Sequence, residues 1–126
     1  MRLLRKKILI NFSYLIKDLP GSIGLRLRGI FYAWIFGCNY LTVGLGVEIS
    51  GFENIQLGNS INIMRLSSLY SHSGKLKIWN NFSMNSNSKL GAADFGEIVI
   101  GNNVLMGPNV VLMASNQNLE SINLMQ

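Results

Sequence analysis

The sequence is poor in the residues that build disulfides, metal centres and ice-binding faces. Cys38 is the only cysteine, so no disulfide can form within the chain, which suits a reducing compartment and a small buried apolar role for Cys38. His72 is the only histidine, which excludes a zinc site built from three imidazoles. Thr42 is the only threonine, so the sequence has no threonine ladder of the kind found on ice-binding faces.

Charged residues are also scarce, at 13% of 126 residues against roughly 25% in average soluble proteins. The hydrophobic fraction of 48% is enough for a packed core. The net charge of +5 comes from residues 1–28, which hold seven basic residues and one acid, Asp18. The remainder is nearly neutral, which argues against nucleic-acid binding, whereas the basic N-terminus suits peripheral contact with an anionic membrane.

Two apolar stretches raise the question of a targeting or membrane-spanning segment. We do not expect residues 8–16 to form a signal peptide, because Asn11 and Ser13 interrupt them and Lys17 follows where a small-residue cleavage site would lie. Residues 29–47 are uncharged but contain Asn39 and four glycines, which disfavours a transmembrane helix. We expect instead an amphipathic helix over about residues 22–37, docked on the body of the protein or on a membrane.

An internal repeat of six residues organises the rest of the chain. Three segments align, beginning at Ile55, Leu76 and Ile98, and a weaker pair, Val43 and Ile49, precedes them. In the three segments every sixth position is aliphatic: Leu57, Ile63, Leu69, Ile78, Met84, Leu90, Ile100, Met106 and Leu112. A second column lies four residues after each of these positions, and its members are mostly small or apolar. They are Val47, Ile61, Ser67, Phe82, Ser88, Val104 and Val110, with Glu53 as the one exception.

This period fits neither a lone helix nor a flat sheet. A short strand and a turn make one side of a triangular coil, the aliphatic residue points inward, and stacked coils share the core. Asn59, Asn80 and Asn102 occupy one repeat position, as expected at corners that use left-handed backbone. The sequence predicts an all-β fold, a left-handed parallel β-helix over residues 42–126 after a basic helical segment 1–41. Extra residues near Ser73 and Asp94 are expected as small protruding corner loops.

The stretch from Ile98 to Asn116 resembles the hexapeptide-repeat acyltransferases, closest to the sugar O-acetyltransferases of lipopolysaccharide and capsule biosynthesis. Residues 19–28 also resemble the lead-in of the polysaccharide members. The resemblance implies acetyl-CoA as donor, no metal, and a saccharide or lipid-linked saccharide as acceptor. It further implies a homotrimer with active sites between neighbouring prisms. We expect a cytoplasmic location, and the basic N-terminus suits lipid-linked acceptors at the inner face of the membrane.

The sequence departs from this family at the catalytic position. The family places its general-base histidine after an asparagine, and here that pair is Asn116 and Gln117. A glutamine amide has no usable basic site, and loss of a general base lowers the rate about 10²- to 10⁴-fold. The family pattern also continues with further coils, so we expect a β-helix incomplete at its C-terminus and weak or absent catalysis.

Asparagines are the candidate substrate-binding residues. Asn85 and Asn87 match the acceptor-binding region of sugar-acetylating relatives, and Asn116 precedes the catalytic position. The alternative is that these residues only fill polar turn positions. His72 is expected at a solvent-facing corner, and Asp94 as a solvated loop acid. The alternative function is a non-catalytic binding or structural module, or the product of a broken gene.

Overall fold

The computed structural model describes residues 2–116, which form two helices followed by eleven short strands. The helices are α1 (Arg2–Lys17) and α2 (Gly21–Phe36). A single 3₁₀ turn, Phe52–Asn54, lies between the second and third strands. The strands are β1 (Leu41–Val43), β2 (Glu48–Ser50), β3 (Ile55–Leu57), β4 (Ile61–Ile63), β5 (Ser68–His72), β6 (Lys75–Ile78), β7 (Phe82–Met84), β8 (Lys89–Ala93), β9 (Glu97–Ile100), β10 (Leu105–Met106) and β11 (Val111–Ser115).

The strands form three parallel sheets, one along each side of a triangular prism. Sheet A has the order β1-β4-β7-β10, sheet B the order β2-β5-β8-β11, and sheet C the order β3-β6-β9. Each strand pairs with the strand one coil later, and the chain completes about four coils. The prediction of a left-handed parallel β-helix is therefore confirmed.

The inward aliphatic positions stack from coil to coil as the repeat predicts. In sheet B the register aligns Ile49 with Leu69, Leu69 with Leu90, and Leu90 with Leu112. Leu69 and Leu90 are fully buried, whereas Leu112, in the last described coil, is 45% exposed. The equivalent stacks are Val43, Ile63, Met84 and Met106 in sheet A, and Leu57, Ile78 and Ile100 in sheet C.

Left-handed backbone recurs at the corners of the prism. The corner between sheets C and A places Ser60, Asn81 and Asn103 at φ near +60° in successive coils. Asparagine accepts this conformation more readily than most residues do. The predicted asparagines Asn59, Asn80 and Asn102 lie one residue earlier and do not have the left-handed φ. They link the coils instead, because the Oδ1 atoms of Asn80 and Asn102 accept the backbone N–H one coil earlier at 2.8 and 3.0 Å.

The extra residues near Ser73 and Asp94 form tight turns rather than protruding loops. Strands β5 and β8 extend to five residues, and the chain then turns the corner into β6 and β9 through left-handed residues. Gly96 fits because a Cβ atom there would lie 2.7 Å from the backbone of Ala114. Phe95 projects from the second turn, with 83% of its surface exposed.

Both helices pack against the first coil. Helix α2 matches the predicted helix and ends at Gly37, whose φ of 63° is left-handed. Phe12 of α1 contacts Phe31 of α2 at a ring distance of 5.0 Å, and Tyr32 meets Phe52 of the first coil edge-on at 6.2 Å. Burial raises the pKa of Tyr32 to about 12. Neither described helix has the length and apolar character needed to cross a bilayer.

Arg28 is a buried cation that joins the helices to the prism. Its side chain is 2% exposed, and its Nε donates to the carbonyl of Val43 at 2.9 Å. Its Nη1 donates to the carbonyls of Leu19 and Ile16 at 2.7 and 3.2 Å. Burial lowers the pKa of Arg28, but an arginine stays charged in proteins. The guanidinium therefore satisfies carbonyls at the C-terminal end of α1, where a cation is favourable.

Replacing Arg28 should loosen the helices from the prism. We expect Arg28→Met to lower the free energy of unfolding by roughly 3 kcal/mol, because several buried carbonyls lose a charged donor. Urea denaturation followed by circular dichroism measures this loss. Arg26→Met is the matched control, since Arg26 is exposed on the same helix and should change stability by about 0.5 kcal/mol or less. Equal unfolding midpoints for the two variants would contradict this role.

Replacing two buried serines of the β-helix by alanine should change stability in opposite ways. Ser67 Oγ donates to the carbonyl of Asn85 at 2.9 Å and accepts the N–H of Ser88 at 3.3 Å. Ser71 Oγ is buried without a partner among the described residues, in register with Ala92. We expect Ser67→Ala to destabilise by about 1–3 kcal/mol and Ser71→Ala to be neutral or stabilising. Thermal unfolding of both variants tests this, and a larger loss for Ser71→Ala would refute it.

Candidate functional site

The asparagines of the corner between sheets A and B are used in local structure. Asn85 is half-buried, and its Oδ1 accepts the backbone N–H of Ser86 at 2.7 Å. Asn87 has a left-handed φ of 59°, and its Nδ2 donates to Oδ1 of Asn109 in the next coil at 2.7 Å. The amide of Asn87 thus supports the corner, and Asn85 and Ser86 are both half-buried there.

Asn116 lies at the other end of sheet B. Its backbone N–H donates to the carbonyl of Asp94 at 3.2 Å, and Ser115 Oγ donates to Oδ2 of Asp94 at 3.3 Å. The five residues of β8 separate this corner from Asn87, a distance of roughly 16 Å. A single chain therefore does not bring Asn85 and Asn87 together with Asn116. Gln117 lies outside the described residues.

His72 ends strand β5 on the outer side of sheet B. Its Nε2 lies 3.3 Å from Oγ of Ser50, and its ring stacks on Tyr70 with a centroid distance of 5.8 Å and an interplanar angle of 27°. His72 is exposed, so its imidazole can reach a ligand. Apart from their alternation along one strand, no sequence pattern predicts that His72 stacks on Tyr70.

Tyr70 and His72 belong to a shallow cleft on sheet B, which we name the sheet-B face. The cleft has a volume of about 310 Å³. Lys17 of α1 borders it through an ion pair with Glu48 at 2.8 Å, and this hydrogen bond raises the pKa of Lys17. The polar and aromatic side chains of the face are Glu48, Ser50, Ser68, Tyr70, His72 and Lys89.

The ring of Tyr70 lies flat across Gly91 of the next strand. A Cβ atom at Gly91 would lie 2.3 Å from Cζ of Tyr70, so only glycine leaves room for the ring in this position. The hydroxyl of Tyr70 donates to Sδ of Met113 at 2.9 Å, one further strand along. Contacts on both sides thus fix the ring as a flat apolar platform surrounded by polar groups.

The sheet-B face can bind a ligand with apolar and hydroxylated sides. A sugar ring presents C–H groups to an aromatic face and hydroxyls to surrounding donors and acceptors, and Tyr70, Ser68 and Lys89 offer both kinds of contact. A second cleft of about 440 Å³ follows the corner between sheets B and C, lined by Lys75, Phe95 and Glu97 among others. The corner with His72 and Asp94 lies between the two clefts.

The described residues also lack a metal-binding cluster. Residues 2–116 contain no group of three or more His, Cys, Asp or Glu side chains placed to hold an ion.

Comparison with known proteins gives no assignment. No protein-family model, no curated protein and no solved structure matches the chain.

The fit of Tyr70 over Gly91 can be tested directly. We expect Gly91→Ala to displace the ring and break its hydrogen bond to Met113, while the backbone remains folded because Gly91 has no left-handed φ. The ring resonances of Tyr70 measured by NMR should shift. Gly101→Ala is the control, because a Cβ atom there would meet nothing within 4 Å. Unchanged Tyr70 resonances in Gly91→Ala would contradict the platform.

Proposed function

We propose that this protein belongs to a lineage of O-acetyltransferases. It binds acetyl-CoA and a sugar acceptor of surface-polysaccharide biosynthesis, either O-antigen or capsule, and transfers the acetyl group only slowly. The observation that carries the proposal is the sheet-B face, an aromatic platform beside the corner that holds Asp94 and Asn116. The left-handed β-helix and the resemblance of residues 98–116 support the same reaction class. A fold alone does not define an activity, so the proposal depends on the site.

The reaction needs a proton acceptor. The sugar oxygen attacks the thioester carbonyl, a C–O bond forms, the C–S bond breaks, and the hydroxyl proton must pass to a base and then to the departing thiolate. Gln117 cannot accept that proton. His72 is the only imidazole, and two strand spacings separate it from Ser115, roughly 10 Å. We therefore expect slow transfer by a single prism.

A homotrimer is part of the proposal. Asn85 and Asn87 lie at one edge of sheet B and Asn116 at the other, so a neighbouring prism would be needed to bring both sets to one ligand. The same proposal includes a cytoplasmic location at the inner face of a membrane, where lipid-linked saccharides are acceptors.

Restoring the base tests the proposed chemistry. We expect Gln117→His to raise acetyl transfer to methyl glycosides about 10²- to 10⁴-fold, measured as thiol release from acetyl-CoA. Asn118→His is the control, because it adds an imidazole one residue away and should leave the rate unchanged.

If neither the natural chain nor Gln117→His binds acetyl-CoA in equilibrium dialysis, and neither releases thiol, the protein is not an acetyltransferase of this type. Saccharide binding that persists in that case, and that Gly91→Ala weakens, would support the second candidate, a non-catalytic saccharide-binding module. The position of Tyr70 over Gly91 favours that candidate specifically.

A further inference from the structure

Helix α2 exposes a stripe of large apolar residues. Ile23, Leu27, Ile30 and Trp34 recur at spacings of four, three and four residues, which places them on one side of the helix. Their exposed fractions are 74%, 41%, 63% and 61%. The residues that α2 buries lie on a different side of the helix from the stripe and are Gly24, Arg28, Phe31 and Tyr32. The stripe is therefore not the surface by which α2 packs on the β-helix.

Helix α1 exposes a second stripe. Leu4, Ile8 and Leu15 lie on one side of the helix, with exposed fractions of 62%, 59% and 74%. Ser13, which α1 buries, lies on the opposite side, and the buried Ile16 lies between Ser13 and the stripe. Because both helices pack on the first coil through their other sides, the two stripes make one apolar surface at that end of the prism, which we name the helical face.

Cations accompany the helical face. The guanidinium of Arg5 lies 6.0 Å from the ring centroid of Trp34, which joins the two helices at this surface. Lys7 and Arg26 are exposed beside the stripes. Arg5, Lys7 and Arg26 form no ion pair with any residue in the range 2–116, whereas Lys6 and Lys17 pair with Glu53 and Glu48 of the prism.

We propose that the helical face lies in the surface plane of an anionic bilayer. Ile23, Ile30 and Trp34 would enter the boundary between headgroups and acyl chains, and the unpaired cations would contact the anionic headgroups. Tryptophan is favoured at this depth. The helices lie on the membrane rather than cross it, because neither is long and apolar enough to span it.

The positive charge beside the helical face favours an anionic membrane over a second copy of the chain as the partner of this face. Two copies meeting through the helical face would bring Arg5, Lys7 and Arg26 of both chains together, and like charges at a desolvated contact are costly. An anionic lipid surface offers opposite charge to the same residues. The proposal is independent of acetyl transfer, since it uses no residue of the sheet-B face.

Vesicle binding by the full chain tests the proposal. We expect co-sedimentation with vesicles of phosphatidylcholine and phosphatidylserine, and weaker binding at high salt because screening reduces the attraction. In a Trp79→Phe background, which leaves Trp34 as the only tryptophan, the emission should shift to the blue when these vesicles are added. Vesicles of phosphatidylcholine alone should bind more weakly.

Matched variants separate the apolar and charged contributions. Ile30→Glu should weaken binding roughly tenfold or more, because a charge replaces a side chain inserted among lipids. Val99→Glu makes the same chemical change at a residue 56% exposed on sheet C, next to Lys77, and should bind like the natural chain. Arg26→Gln should weaken binding to anionic vesicles about fivefold and leave binding to neutral vesicles unchanged.

Two results would overturn the proposal, provided that circular dichroism shows each variant folded. One is equal vesicle binding by Ile30→Glu and Val99→Glu. The other is a blue shift of Trp34 that appears without vesicles as the protein concentration rises and that Ile30→Glu abolishes, which would identify a second copy as the occupant.

Discussion

The vertical register of the coils is the constraint on which the rest of the structure depends. Leu69 stacks on Ile49, and Leu90 on Leu69, so every outward residue of sheet B also has a fixed neighbour one coil away. A slip of one residue would turn each aliphatic side chain to solvent, so burial holds the register strongly. The same alignment sets Tyr70 opposite Gly91, and the sheet-B face is therefore a consequence of core stacking.

Arg28 joins two parts of the molecule that have different surfaces. The prism is nearly neutral and carries the clefts, whereas the helices carry most of the positive charge and the exposed apolar stripes. A buried guanidinium that donates to α1, to the turn after it and to β1 fixes the angle between these parts. The ion pairs Lys6–Glu53 and Lys17–Glu48 add exposed contacts of small individual value.

The sequence predicted the structural features that follow from its six-residue repeat. The nine aliphatic positions identified the inward stacks, and the repeated asparagines identified one corner column. Arg28 was not predicted as a buried residue, because arginine is usually exposed and no periodicity distinguishes a buried one. Helix α1 was likewise not predicted separately from α2, since its apolar residues face mainly outward.

The candidate site was less predictable than the fold. A family resemblance alone indicates Asn85 and Asn87 as binding residues, and the structure shows the amide of Asn87 hydrogen-bonded to Asn109. The Tyr70 platform requires a residue on one strand to match a glycine 21 positions later, which a repeat of six does not reveal. The separation of the Tyr70 platform from the helical face follows from the three-dimensional arrangement alone.

An amide NMR titration tests most directly the claim that ligand binding and membrane docking use different surfaces of the molecule, the sheet-B face and the helical face. The account predicts that methyl glycosides shift the amides of Tyr70, His72 and Lys89, and leave those of Ile23, Ile30 and Trp34 unchanged. Small anionic bicelles should do the reverse. Shifts of the helical amides by the glycoside, or of the sheet-B amides by the bicelles, would contradict the account.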